Sequence, residues 1–332
     1  MESETYLKDI PSDGISSVKF AQTSDNLLVS AWDNSLSLYD GYTTGLKFRY
    51  VSKAAILSAD FTENESGAYF GGLEQKVKKF DFNKETEIDI GHHDEGIRCV
   101  EYDPYSKCLY TGSWDKTLKI WDERTGAKEI IRELSDKVYA MSVCRNKVVL
   151  GMANNKIVVY DTRSSKDLEY EDDTGLGKHQ IRCIQGMPES EGYAAGSIEG
   201  RIAIEYFPDT IPEGCSNFSY KWHRKSKEDE GTKYSYIYPV NDITFHPIFK
   251  TFASWGSDGL ITTWDPIVRK RIWKKQFDCG VTSISFNKDG TKLAAGISYN
   301  YDNDIDQMSP IPDPSICILK ITDSNVKTKA RK

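Results

Sequence analysis

Hydrophobic and polar residues alternate with a period of two in short runs along the whole chain, with no sustained period of 3.6. ISSVKF (15–20), ILSADF (56–61), IRCVEY (97–102), VYAMSV (138–143), IRCIQG (181–186), VNDITF (240–245) and VTSISF (281–286) are the clearest of these runs. Such alternation predicts strands with one buried face, and no amphipathic helices. After each of the first six runs comes a second motif, in which a carboxylate or amide precedes a terminal residue by seven positions. The pairs are Asp33/Asp40, Glu74/Asp81, Asp115/Asp122, Asn154/Asp161, Glu199/Tyr206 and Asp258/Asp265. The distance from run to acidic residue is 13 positions in five cases and 11 in the fourth, so the units are repeats rather than chance strands.

The terminal positions 40, 81, 122 and 161 lie 41, 41 and 39 residues apart. A period of about 40–45 residues is that of one four-stranded blade in a WD40 β-propeller. Six full units and a seventh, running from VTSISF through TKLAAGISY to ICILKI, predict an all-β, seven-bladed ring folded as a single domain over residues 1–323. Closure into a ring leaves no long unpaired sheet edge. Each turn acid belongs between the second and third strands, where a short carboxylate or amide bonds nearby backbone N–H groups. The terminal aromatics Tyr39, Phe80, Trp121, Tyr160 and Trp264 are expected to pack between blades. Blade five departs from the pattern by ending in Glu205-Tyr206. An insertion over 207–239 precedes blade six, and a polar, proline-containing loop spans 299–315 in blade seven. Residues 324–332 form a basic tail ending KTKARK, expected to be solvated.

Charge narrows the function. Lys and Arg number 43 against 50 Asp and Glu, a net −7 that suits neither duplex wrapping nor direct nucleic-acid binding in general. No apolar run approaches the ~18 residues of a membrane-spanning helix, and the N-terminus lacks a basic, then apolar, leader. The expectation is a soluble intracellular protein. The seven cysteines are scattered with no C-x-x-C pair, as reduced, buried small hydrophobes would be. None of the five histidines makes H-E-x-x-H or a zinc-like spacing with cysteine, and no phosphate loop, nucleophile elbow or dinucleotide fingerprint occurs. The His92-His93-Asp94 cluster lies where WD-repeat blades place a Gly-His pair leading to the next blade, and a structural histidine holding that turn is expected there rather than a metal ligand. The expectation is a protein that is not an enzyme and holds no cofactor and no metal.

What remains is a rigid ring offering loops to partners. Trp32 and Trp114 each directly precede a turn aspartate, on the face where all such turns emerge. A tryptophan there is either an anchor for a partner or a plate lying flat over its own blade. The same face should carry Arg182, at the start of blade five, and Arg201, two residues past Glu199. Arginine presents a planar fork suited to carboxylate or phosphate. Lys221, His223, Arg224 and Lys225 follow in the insertion, as a binding cluster or as a solvated basic loop.

DGISSVKF, SAWDNSLSLYD, GIRCVEYDP, TGSWDKTLKIWDERT, GSIEGRIAIEYF, YKWHR, YPVNDITFHP and GSDGLITTWDP together resemble the mitotic-checkpoint propellers of the budding-uninhibited-by-benzimidazole family, from residue 13 to about 300. The sister messenger-RNA export propellers share GSWDKTLK, GSIEGR and the HR loop. GISSVKF so near the N-terminus, and IEYF where the export proteins tend to have His for Glu205, favour the checkpoint branch. The resemblance implies a non-catalytic adaptor of the spindle assembly checkpoint, in the nucleus and cytoplasm and at kinetochores in mitosis. Its top face would hold GLEBS segments of a checkpoint kinase and its pseudokinase-like partner, with two peptide glutamates on Arg182 and Arg201 and with Trp32 and Trp114 lining the peptide. Arg201 and Lys221 would read phosphothreonine in Met-Glu-Leu-Thr repeats of the kinetochore scaffold. The inhibitor assembly of the anaphase-promoting complex is a further partner the resemblance allows. Trp222 departs from the family, where Cys is frequent. The alternative function is an export adaptor that binds a nucleoporin GLEBS segment.

Overall fold

A computed structural model describes residues 4–124, 129–162, 170–172, 175–213, 215–229, 232–299 and 312–328. Seven four-stranded antiparallel sheets form a closed propeller, and a separate two-stranded hairpin stands beside them. In blade one the strands are Ile15–Phe20, Asn26–Ala31, Ser35–Asp40 and Leu46–Val51, in sequence order from the channel outward. Blades two to six repeat that order. Blade seven takes Val281–Phe286, Lys292–Ile297 and Ser315–Lys320 from the C-terminal end and its outer strand, Glu4–Tyr6, from the N-terminal end. The two chain ends are therefore hydrogen-bonded in one sheet, with Thr5 opposite Ile318. Lys275 of blade six ion-pairs with Glu4. Asp25 of blade one receives Lys292 of blade seven at 2.7 Å.

The core lies between blades. Leu28, Leu36 and Leu38 of blade one pack on Ile56, Phe61, Phe70 and Phe80 of blade two. Val149, Ile157 and Val159 of blade four pack on Ile184, Tyr193 and Phe207 of blade five. The terminal aromatics sit in these layers as expected: Tyr39, Phe80, Trp121 and Trp264 are buried, and the half-buried Tyr160 lies against the blade three–four core.

The region 207–239 is not one excursion. It contains blade five's own outer strand, Phe218–Lys221, and then the hairpin Arg224–Asp229/Thr232–Ile237. Blade five thus completes four strands despite ending its third at Tyr206. The polar loop of blade seven lies outside the described residues over 300–311, as does the tail over 329–332. Asp323–Val326 instead make one turn of helix, with Val326 buried against blade six and seven side chains.

Candidate peptide-binding face

The channel rim is made by a repeated irregularity. Each inner strand opens with a buried β-branched residue, and the next residue is skipped by the ladder, as where Ile15 pairs with Ala31 but Ser17 with Ser30. The same bulge recurs in all the other blades. A bulge re-aims the extra residue. The skipped residues Ser16, Leu57, Arg98, Tyr139, Arg182, Asn241 and Thr282 accordingly all line one cavity of about 320 Å³ at the channel mouth, together with Trp32, Trp114 and Gln180.

Three of the five expected site residues, Trp32, Trp114 and Arg182, meet there. Trp114 covers Gly96, where an added Cβ would lie 2.7 Å from the indole. Trp32 lies against Gly14 in the same way, at 3.4 Å, and remains 47% exposed. Each indole thus rests on the glycine that precedes its own blade's inner strand while also walling the cavity, so the two readings of these tryptophans are not exclusive. Trp114 Nε1 and Asn241 Oδ1 are buried and make no hydrogen bond among the described residues. Arg98 holds on blade three the position Arg182 holds on blade five. The spacing of the turn residues does not mark it, whereas the shared opening of the seven inner strands does.

Arg201 does not line this cavity. It opens the third strand of blade five directly opposite Lys221 of the outer strand. Its Nε donates to Glu199 Oε2 at 3.0 Å, while Arg224 Nη2 donates to Oε1 at 3.0 Å and His179 Nε2 lies 2.9 Å from Oε2. Burial works against the Glu199 carboxylate, but the bonds from Arg224 and Arg201 outweigh it and hold its pKa below the ordinary value. Lys221 is exposed and has no such partner among the described residues. Lys225 Nζ donates to the Asp258 carbonyl at 3.3 Å.

His223 does not belong to the basic surface. It is buried, with Nδ1 2.9 Å from Asp258 Oδ1 and Nε2 3.4 Å from Ser254 Oγ, which also accepts from Trp264 Nε1 at 3.0 Å. His93 forms the same constellation with Asp115 and Thr111, both at 2.8 Å, and Trp121 Nε1 donates to Thr111 at 2.9 Å. Trp222 packs edge-on against Trp264, centroids 4.5 Å apart, with Arg271 over its ring.

The turn acids divide by length. Asp33, Asp115, Asn154 and Asp258 accept the backbone N–H two residues on, at 3.0–3.2 Å. Glu74 and Glu199 carry an extra methylene and turn to ion pairs instead, Glu74 with Lys78 at 2.8 Å. Below the rim, the channel wall carries Lys19 paired to Asp60 at 2.6 Å, with Glu101 and Asp242 close by. Burial pushes the carboxyl of Glu101 up to about 7 and that of Asp242 to about 6. All seven cysteines are free thiols, and burial pushes the thiols of Cys99 and Cys144 well up, away from nucleophilic chemistry. Among the described residues no cluster of His, Cys, Asp and Glu could hold a metal.

A bladed ring with structural His-Asp pairs and tryptophans over its channel mouth defines a WD-repeat propeller. The model for the WD domain, G-beta repeat, matches residues 5–40 and 84–122. The chain is 35% identical to Mitotic checkpoint protein BUB3.1 of Arabidopsis thaliana, over 98% of this chain and 95% of that one. It is 35% identical to Mitotic checkpoint protein bub-3 of Caenorhabditis elegans, over 95% and 93%. An mRNA export factor, GLE2 of Chaetomium thermophilum, is 31% identical over 91% and 85%. The chain belongs to the BUB3 family of mitotic checkpoint proteins.

Proposed function

We propose that this propeller is a non-catalytic adaptor of the spindle assembly checkpoint, working in the nucleus and cytoplasm and at kinetochores in mitosis. It carries two separate peptide sites. The channel mouth takes the GLEBS segments of a checkpoint kinase and its pseudokinase-like partner. The site at Arg201 and Lys221 takes the phosphorylated Met-Glu-Leu-Thr motifs of the kinetochore scaffold. The observation that carries this reading is the convergence of Trp32, Trp114 and Arg182 on one cavity: two aromatic walls and a cation suit an extended acidic peptide. At the second site, Arg201 and Lys221 stand opposite each other across one strand pair. A phosphothreonine brings about −1.5 to −2 charges and favours such clustered cations.

Calorimetric titration of a GLEBS peptide tests the first site. Arg182→Glu should abolish binding while the unfolding midpoint stays within a few degrees. Normal binding would remove the mouth from the account. Recovery of a checkpoint kinase from mitotic extract supports the checkpoint reading, whereas recovery of a nucleoporin alone would transfer the protein to messenger-RNA export.

A further inference from the structure

The hairpin Arg224–Asp229/Thr232–Ile237 belongs to no blade: its two strands pair only with each other. We infer that Ser226, on its first strand, is a phosphorylation site for a protein kinase with an acidic substrate groove, and that the added phosphate closes the Arg201–Lys221 site to phosphopeptides. The inference rests on the phosphopeptide reading of that site and adds its regulation.

Sequence and geometry both single out this hydroxyl. Ser226 lies in Arg224-Lys225-Ser226-Lys227, with cations directly on either side and a third two positions before it. An acidic groove selects such a serine by charge. Ser226 is exposed, as are Lys225, Glu228 and residues 233–237. A lone two-stranded hairpin that buries so little is marginal in water, so it opens and offers its strand as an extended chain. In the transfer, Ser226 Oγ attacks the γ-phosphorus of the kinase's nucleoside triphosphate. One O–P bond forms, the bond to the bridging β,γ-oxygen breaks, the diphosphate leaves, and the hydroxyl proton passes to the kinase's base.

The effect on the neighbouring site follows from a shared carboxylate. Arg201 Nε donates to Glu199 Oε2 at 3.0 Å, while Arg224 Nη2 donates to Glu199 Oε1 and to the Glu199 carbonyl, both at 3.0 Å. Arg224 Nε is buried and has no acceptor among the described residues, so this guanidinium is incompletely paired. Ser226 stands two residues on along the same strand, on the same face as Arg224 and about 7 Å from it. Across the strand pair it faces Ser235, two residues from Lys233 on that face. A phosphate on Ser226 brings about −1.5 to −2 charges. It draws Arg224 from Glu199, leaves that carboxylate to Arg201, and sets like charge beside the place where a peptide phosphate must dock. No residue of the hairpin lines the channel mouth, so the GLEBS site is untouched.

The test uses the whole chain, ATP and the catalytic subunit of a cyclic-AMP-dependent protein kinase, with mass spectrometry to place the phosphate. Ser226 should be modified, and Ser226→Ala should take up no phosphate on the hairpin. Modification of Ser235 or of no hairpin residue overturns the inference. Phosphorylated Met-Glu-Leu-Thr peptide and GLEBS peptide are then titrated into unmodified protein, phosphorylated protein and kinase-treated Ser226→Ala. The phosphorylated protein should bind the phosphopeptide about tenfold more weakly or worse, and GLEBS within a few-fold of the unmodified protein. Kinase-treated Ser226→Ala should bind both peptides as the unmodified protein does. Equal phosphopeptide affinity before and after modification overturns the inference and leaves the phosphopeptide site standing. Unmodified protein that fails to bind the phosphopeptide overturns both. Parallel losses of the two peptides with a lowered unfolding midpoint would make the phosphate a lesion of the fold and also refute the switch.

Discussion

Glu101 shows what a single residue of the channel wall contributes. Its carboxylate accepts the Val143 N–H at 2.6 Å. Burial raises its pKa from the usual 4.5 to about 7, with Lys19 opposing and Asp60 adding to the rise. Between those two values the folded chain holds a proton that the unfolded chain has released. Stability from this group is therefore greatest at acid pH and falls as pH rises through about 7. Asp242, raised to about 6, acts with the same sign over a lower window. Glu199, whose pKa is lowered, acts oppositely and loses its contribution only as pH falls through the acid range. The expected outcome is that Glu101→Gln flattens the decline of the unfolding midpoint between about pH 5 and pH 8. An unchanged slope would show that Glu101 is ionised and solvated in the channel. Lys221, by contrast, should matter to one ligand only. Lys221→Ala is expected to weaken the phosphorylated Met-Glu-Leu-Thr peptide by about tenfold to a hundredfold in calorimetry and to leave GLEBS affinity nearly unchanged. Equal losses for both peptides would end the case for a separate phosphate site.

At the scale of the element, the blade is locked by a buried triangle of histidine, acid and hydroxyl closed by tryptophan. Blade three has it at His93, Asp115, Thr111 and Trp121, and blade six at His223, Asp258, Ser254 and Trp264. Removing the imidazole leaves the Asp258 carboxylate buried without one of its partners, at a cost of about 1–3 kcal/mol or more. His223→Ala should thus lower the unfolding midpoint by several degrees, whereas Lys221→Ala, two residues away on an exposed strand end, should leave it unmoved. Equal midpoints would return His223 to the surface. Of the first triangle only the structural histidine was legible, because the His92-His93-Asp94 cluster stands between two regular units; its partners Asp115 and Thr111 were not. The second triangle was not legible, because KWHRKSK surrounds His223 with cations and the outer strand of blade five, Phe218–Lys221, carries none of the repeat's spacing marks. Alternation does not mark Arg98 either: an arginine in a strand run reads as an outward residue, and only a bulge, which alternation does not show, turns it to the axis. The period also hid the split among the turn acids, since Asp and Glu are alike in charge but only the shorter reaches the backbone two residues on.

At the scale of the molecule, the closed ring was legible and the strand that seals it was not. Seven units at a period of about 41 residues imply a propeller, but ETY at positions 4–6 is too short to read as a strand. Pairing with Ser315–Lys320 makes it the last strand of the ring. Deleting residues 1–7 exposes the edge of that strand and takes Leu7 out of the blade one–seven core. The truncated protein should unfold several degrees lower in calorimetry and self-associate with concentration in sedimentation, as an open sheet edge does. Unchanged unfolding would show that the ring holds without its seal.

A closed ring also keeps its faces apart. Trp32, Trp114 and Arg182 stand at the axis, while Arg201 and Lys221 stand at the outer part of blade five. An adaptor with two such sites must hold both ligands at once, and the most direct test is a titration of phosphorylated Met-Glu-Leu-Thr peptide into protein already saturated with GLEBS peptide. Two separate sites require one further equivalent bound, with an affinity within a few-fold of that for the free protein. Loss of phosphopeptide binding on the saturated protein would mean a single shared site, and would contradict the two-site reading.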